Sequence, residues 1–215
     1  MTSKTDVHGD NALKFFGNMT ASISHEVNNV LAIINENAGL LGDLCAMAER
    51  GRPVDPGRIK VASQKIISQV QRGDTIIKNL NKFAHSVDEP DCKANVNDII
   101  YLISGLSERL AVMRGIKLEI IEKADPVFVS TNPFLLVTLI WFILDYAMSA
   151  AGKEKTVCLN AEKKQDKVVI TFSNLKGLAE IKPDQFPGER EQTLLSKLSA
   201  EVTFDIADQK IVIVL

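Results

Sequence analysis

Apolar residues in the first part of the chain recur at alternating spacings of four and three, the pattern of helices that bury one seam in a coiled coil or bundle. One run consists of Ile23, Val27, Val30, Ile34, Leu41, Leu44 and Ala48, with the polar Asn37 in its gap. Another consists of Ile59, Ala62, Ile66, Gly73, Ile76, Leu80, Phe83 and Val87, interrupted by Gln69. A single buried polar residue can fix the register of such a seam. The spacing predicts two long amphipathic helices.

The residues between the two runs predict a tight connection. Arg50-Gly51-Arg52-Pro53 ends a helix with a basic turn, a glycine and a proline, and Asp55-Pro56 offers an N-cap followed by a proline at the first helical position. Each arm of this hairpin would be about 45–55 Å long at 1.5 Å per residue. Because one hairpin alone leaves apolar surface in water, we expect two copies to form a dimeric four-helix bundle. Packing of the hairpin along the second half of its own chain is the alternative.

The pattern changes after residue 90, where short strands and helices alternate. We predict helices over 96–114, 132–151 and 189–198, and strands over 116–122, 127–130, 156–161, 168–172, 202–206 and 210–215. This order, with several neighbouring antiparallel strands, predicts a two-layer α/β sandwich and an α+β fold overall. The predicted domains are residues 1–90 and 91–215.

Composition excludes several classes of protein. The net charge of −2 argues against a nucleic-acid partner, which requires a basic surface. The three cysteines are odd in number, far apart and without metal-ligand spacing, so we expect reduced thiols and no metal site: Cys45, Cys92 and Cys158. The longest apolar run, 134–151, is interrupted by polar residues and predicts a core helix, not a membrane span. We expect a cytoplasmic protein with no membrane partner.

A histidine next to a carboxylate marks the first helix. At about 100° per residue, His25 lies about 200° from Ile23 and from Val27, so its side chain should point away from the seam into solvent. The same outward face carries a polar stripe: Asn18, Ser22, His25, Asn29 and Glu36.

These residues resemble a known motif. His25-Glu26-x-x-Asn29 is similar to the H-E-x-x-N form of the phosphoacceptor motif of two-component sensor histidine kinases. Weaker resemblances to that family's catalytic core lie at 76–84, 96–99 and 114–116, so the likeness covers nearly all of the chain. It implies a dimerisation and phosphoacceptor domain followed by an ATPase-type domain.

The second half departs from the family where nucleotide binds. The adenine loop of the family, D-N-G-x-G, corresponds to Ser173-Asn174-Leu175-Lys176-Gly177, which lacks the carboxylate and the first glycine. The family's Mg²⁺-holding Asn corresponds to Asp145 or Tyr146, and no G-x-G follows Gly152 to form a phosphate lid. We therefore expect no ATP binding, no cofactor and no metal. The resemblance then implies a dimeric histidine phosphotransferase with a degenerate ATPase-like domain.

In such a protein His25 would be the phosphoacceptor, Glu26 would orient or activate its imidazole, and Asn29 would position a water for hydrolysis. The partners would be response-regulator receiver domains, which bring their own Mg²⁺. Arg72, Lys78 and Lys82 are expected to form an ordinary charged face, and contact of some of them with a phosphoryl group or an acidic receiver surface is the alternative. Two alternatives remain: a sensor histidine kinase, active or diverged, and a non-catalytic module that docks onto a response regulator.

Overall fold

The computed structural model describes residues 4–88, 90–122, 125–181 and 186–215, with side chains from residue 15 onward. The chain divides into two compact units. One is Asn18–Asn81, and the other joins the residues up to Gly17 with Lys82–Leu215.

Two long helices form the first part of the chain, as predicted: α1 (Lys4–Glu49) and α2 (Pro56–His85). After α1, Gly51 adopts a φ of +70°, and the Arg52 N–H donates to the Met47 carbonyl at 3.0 Å. Before α2, Asp55 Oδ1 accepts the Gly57 N–H at 2.8 Å. The end of α1 at Gly51 and the N-cap of α2 at Asp55 therefore lie where the sequence predicted them.

Within Asn18–Asn81, the helix faces are buried unevenly. The buried residues of α1 follow one seam at spacings of four, three and seven: Met19, Ile23, Glu26, Val30, Asn37 and Leu44. Val27, Ile34 and Leu41, which were predicted in the seam, are only half-buried, and Ala48 and Ile59 are exposed. These positions lie beside the seam that closes within the chain, on a face that a single chain leaves open. Their place in the seam of a dimeric bundle stays a prediction.

The two helices approach closely at one point of this seam. A Cβ atom added to Gly73 would lie 3.3 Å from Val30 Cγ1, a distance tighter than ordinary van der Waals contact. The absence of a side chain at Gly73 therefore lets α2 lie against α1 at the level of Val30. This contact fixes which residues of the two helices face each other.

The second unit is a mixed α/β structure, and the predicted α+β fold class is confirmed. Its elements are β1 (Cys92–Asn95), α3 (Val96–Met113), β2 (Lys117–Ile120), β3 (Phe128–Thr131), α4 (Pro133–Ser149), β4 (Thr156–Lys164), β5 (Lys167–Ser173), α5 (Glu189–Lys197), β6 (Glu201–Asp205) and β7 (Lys210–Val214). Five strands form one sheet in the order β2-β4-β5-β7-β6. The β2–β4 pair is parallel and the others are antiparallel. A separate antiparallel pair joins β1 to β3.

The core of this unit lies between α3, α4 and one face of the large sheet. Most of α4 is buried, which agrees with the predicted core helix. Among the described residues, one helix is long and apolar enough to span a membrane by length and composition alone: Phe15–Glu49 of α1. The first helix of a soluble bundle passes the same test, so the expectation of a cytoplasmic protein stays a prediction.

Within the second unit, aromatic side chains pack the first described side chains of α1 and the end of α2 against α4. The Phe15 ring lies 5.6 Å from Phe83, 4.9 Å from Trp141 and 5.8 Å from Phe142, measured between centroids. Phe15 and Phe83 are almost completely buried. This cluster explains why residues 15–17 and 82–88 group with the α/β unit, whereas the predicted domains divide the chain at residue 90.

Candidate functional site

The candidate site lies on the outer face of α1, within the unit Asn18–Asn81. His25 is exposed, and so is Asn29, one helical turn further along. The other members of the predicted polar stripe, Asn18, Ser22 and Glu36, are exposed or half-buried. The half-buried Val27 lies about 200° around the helix from His25. A partner that covers the face of Val27 would therefore leave the imidazole accessible.

Glu26 lies on a different face of α1 from His25. Its side chain is 7% exposed and occupies the seam, because successive residues of a helix point about 100° apart. Its Oε1 atom is 3.2 Å from Arg72 Nη2, on α2. The carboxylate next to His25 is thus ion-paired across the hairpin. Its predicted role toward the imidazole stays a prediction.

Arg72 is a residue of the site that sequence analysis missed. We expected it on an ordinary charged face, yet its guanidinium neutralises the buried Glu26, and its own side chain is 40% exposed. One signal was available: Glu26 follows Ile23 by three residues and precedes Val30 by four, so it fits the seam spacing. A carboxylate at a seam position requires a cation from a facing helix. By contrast, Lys78 pairs with Asp74 on its own helix at 2.7 Å.

The Glu26–Arg72 ion pair links α1 to α2 beside His25. A buried carboxylate that loses its cationic partner is strongly unfavourable, so Glu26 and Arg72 hold α1 and α2 together at the level of the site. His25 directly precedes Glu26, so the ion pair also restrains the backbone at His25. The site therefore combines a solvent-accessible imidazole with a restrained helix.

In the α/β unit, the segment that corresponds to the adenine loop packs into the protein core. The Leu175 side chain is fully buried, and its N–H donates to the Gln209 carbonyl at 2.9 Å. The Gly177 N–H donates to the Ala150 carbonyl at 2.9 Å. Asn174, at a φ of +67°, donates from Nδ2 to the Thr156 carbonyl. These backbone and side-chain groups bond within the protein and do not point toward a ligand.

The two residues that correspond to the family's metal-holding Asn also contact other side chains of the protein. The Asp145 carboxylate accepts a hydrogen bond from Arg114 Nη2 at 2.7 Å. The Tyr146 ring stacks on Phe186 with 4.3 Å between centroids and meets the edge of Phe204. Burial raises the pKa of the Tyr146 phenol. The residues present at this place do not fit a nucleotide with its metal ion.

No family model matches the sequence, and no curated protein matches it. Solved structures are similar to it at low identity. They include the Acinetobacter baumannii histidine kinase AdeS, at 10% identity and a TM-score of 0.48, covering 88% of this chain and 95% of that chain. A bacterial phosphotransferase has 14% identity and a TM-score of 0.48, covering 100% of this chain and 97% of that chain.

A third similar structure is the histidine kinase ThkA in complex with the response regulator protein TrrA. It has 19% identity and a TM-score of 0.47, covering 95% of this chain and 62% of that chain. These three structures are two histidine kinases and a phosphotransferase. At these identities and TM-scores, function has to be argued from the residues of the site.

Proposed function

We propose that this chain is a histidine phosphotransferase of a two-component phosphorelay, which passes a phosphoryl group between His25 and an aspartate of response-regulator receiver domains. The observation that supports this proposal is an exposed imidazole on a helix face of the unit Asn18–Asn81, next to the buried Glu26, which pairs with Arg72, and one turn before the exposed Asn29. Exposure is essential because the phosphoryl donor is a protein that must reach the imidazole.

The chemistry requires one nucleophilic nitrogen. The unprotonated nitrogen of neutral His25 attacks the phosphorus of an aspartyl phosphate, forming an N–P bond while the P–O bond to the aspartate breaks and the carboxylate leaves on the receiver. The other ring nitrogen keeps its proton. The reverse step transfers the phosphoryl group to the aspartate of a second receiver. Mg²⁺ bound by the receiver would neutralise the transferring group, so this chain would supply no metal ligand.

In this proposal the phosphoryl group does not come from ATP. Buried Leu175 and the Tyr146–Phe186 stack take up the places where the family binds nucleotide and metal. The N–H groups of Leu175 and Gly177 already bond to backbone carbonyls. A nucleotide would have to displace a core side chain before it could bind.

The protein would act as a homodimer. On α2, apolar side chains beside the closed seam remain in solvent within a single chain: Ile59 is 43%, Val70 55% and Ile77 43% exposed. On α1, the half-buried Val27, Ile34 and Leu41 recur every seven residues and share one face. A second copy that covers both stripes would complete a four-helix bundle. His25 lies on the opposite side of α1 and would stay accessible.

Glu26 and Asn29 would assist His25 in different ways. Glu26, held by Arg72, would act as a positioning residue for the helix turn and for the imidazole tautomer. Asn29 is exposed on the face of His25 and would orient a water that hydrolyses the aspartyl phosphate of a docked receiver. Transfer and hydrolysis would then depend on different residues.

The test is to incubate the full chain with receiver domains that carry labelled phosphate on aspartate. We expect acid-labile, base-stable label on the wild-type chain and none on the His25→Ala variant. A module that only docks would bind the receivers, before and after this substitution, and never carry label. A diverged kinase would instead take label from ATP and Mg²⁺ and show a nucleotide-dependent rise in melting temperature.

A further inference from the structure

The arginine that pairs with Glu26 uses only part of its hydrogen-bonding capacity in that pair. Arg72 Nη2 donates to Glu26 Oε1 at 3.2 Å, and within the described part of the chain this is its one side-chain hydrogen bond. A guanidinium carries five N–H donors in a planar fork. Glu26 is buried, whereas the Arg72 side chain is 40% exposed. The remaining donors of Arg72 are therefore available to a second anion that approaches from solvent.

Arg72 lies on the same outer side of the hairpin as His25. Around α1, in the direction in which the chain winds, Asn29 lies about 80° and His25 about 120° before the centre of the closed seam, and Val27 lies about 80° after it. Around α2, Arg72 lies about 60° before the closed seam, and the exposed Ile77 lies about 80° after it. Two antiparallel helices that face each other place the positions before their seams on one side of the pair. Arg72 and His25 therefore share the side opposite the exposed apolar stripes.

The ion pair also brings the guanidinium to the level of His25 along the helix axis. His25 directly precedes Glu26, a rise of about 1.5 Å, and Arg72 Nη2 lies 3.2 Å from the Glu26 carboxylate. Another exposed cation of α2 on this side, Lys65, is seven residues earlier, which places it about 10 Å further from that level. Lys78 faces away from the seam and pairs with Asp74 on its own helix. Of these three cations, Arg72 is the one held beside the helix turn that presents the imidazole.

We propose that Arg72 binds the phosphoryl group carried by His25, donating its free N–H groups to the phosphoryl oxygens while Nη2 stays on Glu26. This inference rests on the proposed function, in which His25 is the phosphoacceptor. A phosphoryl group brings about two negative charges, and a guanidinium binds such a group through charge-assisted hydrogen bonds. Because Glu26 keeps its partner, no buried charge is left uncompensated. Glu26 is then the positioning residue that holds Arg72 beside the imidazole.

This contact would stabilise the phosphorylated form of the chain. Arg72 takes no part in the exchange of the P–O bond for the N–P bond, and it contacts the phosphoryl group once that group is on His25. Loss of the guanidinium should therefore shift the equilibrium of the phosphoryl group from His25 toward the aspartate of the receiver.

The first measurement needs no receiver. Potassium phosphoramidate phosphorylates exposed histidines of the full chain, and ³¹P NMR follows each phosphoryl group over pH. The signal of His25 is the one that His25→Ala lacks. Arg72→Ala should raise the pKa of the phosphoryl group on His25, because its doubly charged form loses a neighbouring cation. The matched control Lys65→Ala, and the signal of the phosphoryl group on His85, should show no change.

The second measurement gives the size of the effect. A receiver with labelled aspartyl phosphate is mixed with the full chain, and the label on each protein is measured at equilibrium. Arg72→Ala should lower the ratio of label on His25 to label on the receiver by about tenfold, the size expected for one hydrogen bond to a charged group. Lys65→Ala should stay within about twofold of the wild type.

The third measurement does not depend on the folding of Arg72→Ala. In the wild-type chain with ¹⁵N-labelled arginine, phosphorylation of His25 should shift the side-chain N–H signals of Arg72 and slow their exchange with water. Arg72→Lys identifies these signals by their loss, and its ammonium still neutralises Glu26.

Failure of this inference is distinguishable from failure of the proposed function. If receivers label His25 but its phosphoryl group has the same pKa in Arg72→Ala and the Arg72 signals of the wild type do not respond to phosphorylation, Arg72 does not bind the phosphoryl group and the relay stands. If no receiver labels the wild type, while chemical phosphorylation of His25 shifts the Arg72 signals, the relay is wrong and the contact stands.

Discussion

The two units of this chain differ in the solvent exposure of their candidate functional positions. In the helical unit, Asn18–Asn81, the seam buries Glu26, which pairs with the partly exposed Arg72, and leaves His25 and Asn29 in solvent. In the α/β unit, the segment 173–177, which corresponds to the adenine loop, buries Leu175 in the core and forms hydrogen bonds to the backbone. An exposed side chain remains available to a partner, whereas apolar side chains that fill a loop bury surface and stabilise the fold.

The largest expected effect comes from removing the imidazole. His25→Ala should abolish labelling from a phosphorylated receiver, because no other group on that face is a nitrogen nucleophile, and it should leave folding and receiver binding intact. The matched control is His85→Ala, an exposed histidine of α2 that lies 2.7 Å from Asp88. Autoradiography of the separated proteins gives the result. Full labelling of His25→Ala would place the phosphoacceptor elsewhere.

In the α/β unit, a substitution in the filled loop should affect stability and leave phosphotransfer unchanged. Leu175→Ala removes a fully buried side chain and should cost about 2–5 kcal/mol of unfolding free energy, through lost burial and a residual cavity. Urea denaturation measures the cost. Labelling of His25 under native conditions should not change. If Leu175→Ala gained saturable nucleotide binding, the nucleotide site would be blocked by one side chain alone, contrary to our interpretation.

The Glu26–Arg72 ion pair beside His25 should affect the rate of phosphoryl transfer. Glu26→Ala should slow transfer by about 10²-fold if the carboxylate assists the imidazole as an acid–base partner does. Arg72→Ala should slow transfer less and should lower stability by about 1–3 kcal/mol, because Glu26 loses its ion pair with Arg72 in the seam. Single-turnover transfer from the receiver, followed over pH, separates these effects. Glu26→Gln keeps the shape of the side chain and serves as the control for packing.

The first helix was predictable to a large extent, and the reasons are local. Gly51 and Pro56 mark the helix ends through their own backbone preferences, and solvent exposure of His25 follows from helical geometry. The closed seam was not predictable in full, because an apolar face wide enough for two seams does not say which one the chain closes on itself. The burial of Glu26 was not predicted for this reason.

The parts that were not predicted depend on long-range contacts or weak local signals. Strand β1, with the sequence Cys-Lys-Ala-Asn, has no alternating apolar pattern and exists because it pairs with β3. The stack of Tyr146 on Phe186 joins residues 40 positions apart, which no spacing rule connects. The replacement of the first loop glycine by Leu175 was visible in the sequence, and the structure adds that the leucine is buried.

The smallest expected effect concerns hydrolysis. Asn29→Ala should leave labelling of His25 within about twofold of the wild type, a difference below about 0.5 kcal/mol, because the exposed amide does not support the seam. It should slow any loss of phosphate from a docked receiver, since a water would lose its hydrogen-bond partner. Asn28→Ala, an exposed neighbour on a different face, is the matched control. Equal hydrolysis by both variants would remove Asn29 from the site.

The comparison between the units is tested most directly by offering the full chain two phosphoryl donors in parallel. One sample receives labelled ATP with Mg²⁺, and the other receives receiver domains that carry labelled aspartyl phosphate. The account predicts label on His25 from the receiver alone, and its loss to a second receiver when that is added. Label from ATP at His25, with none from any receiver, would contradict the account and identify a kinase.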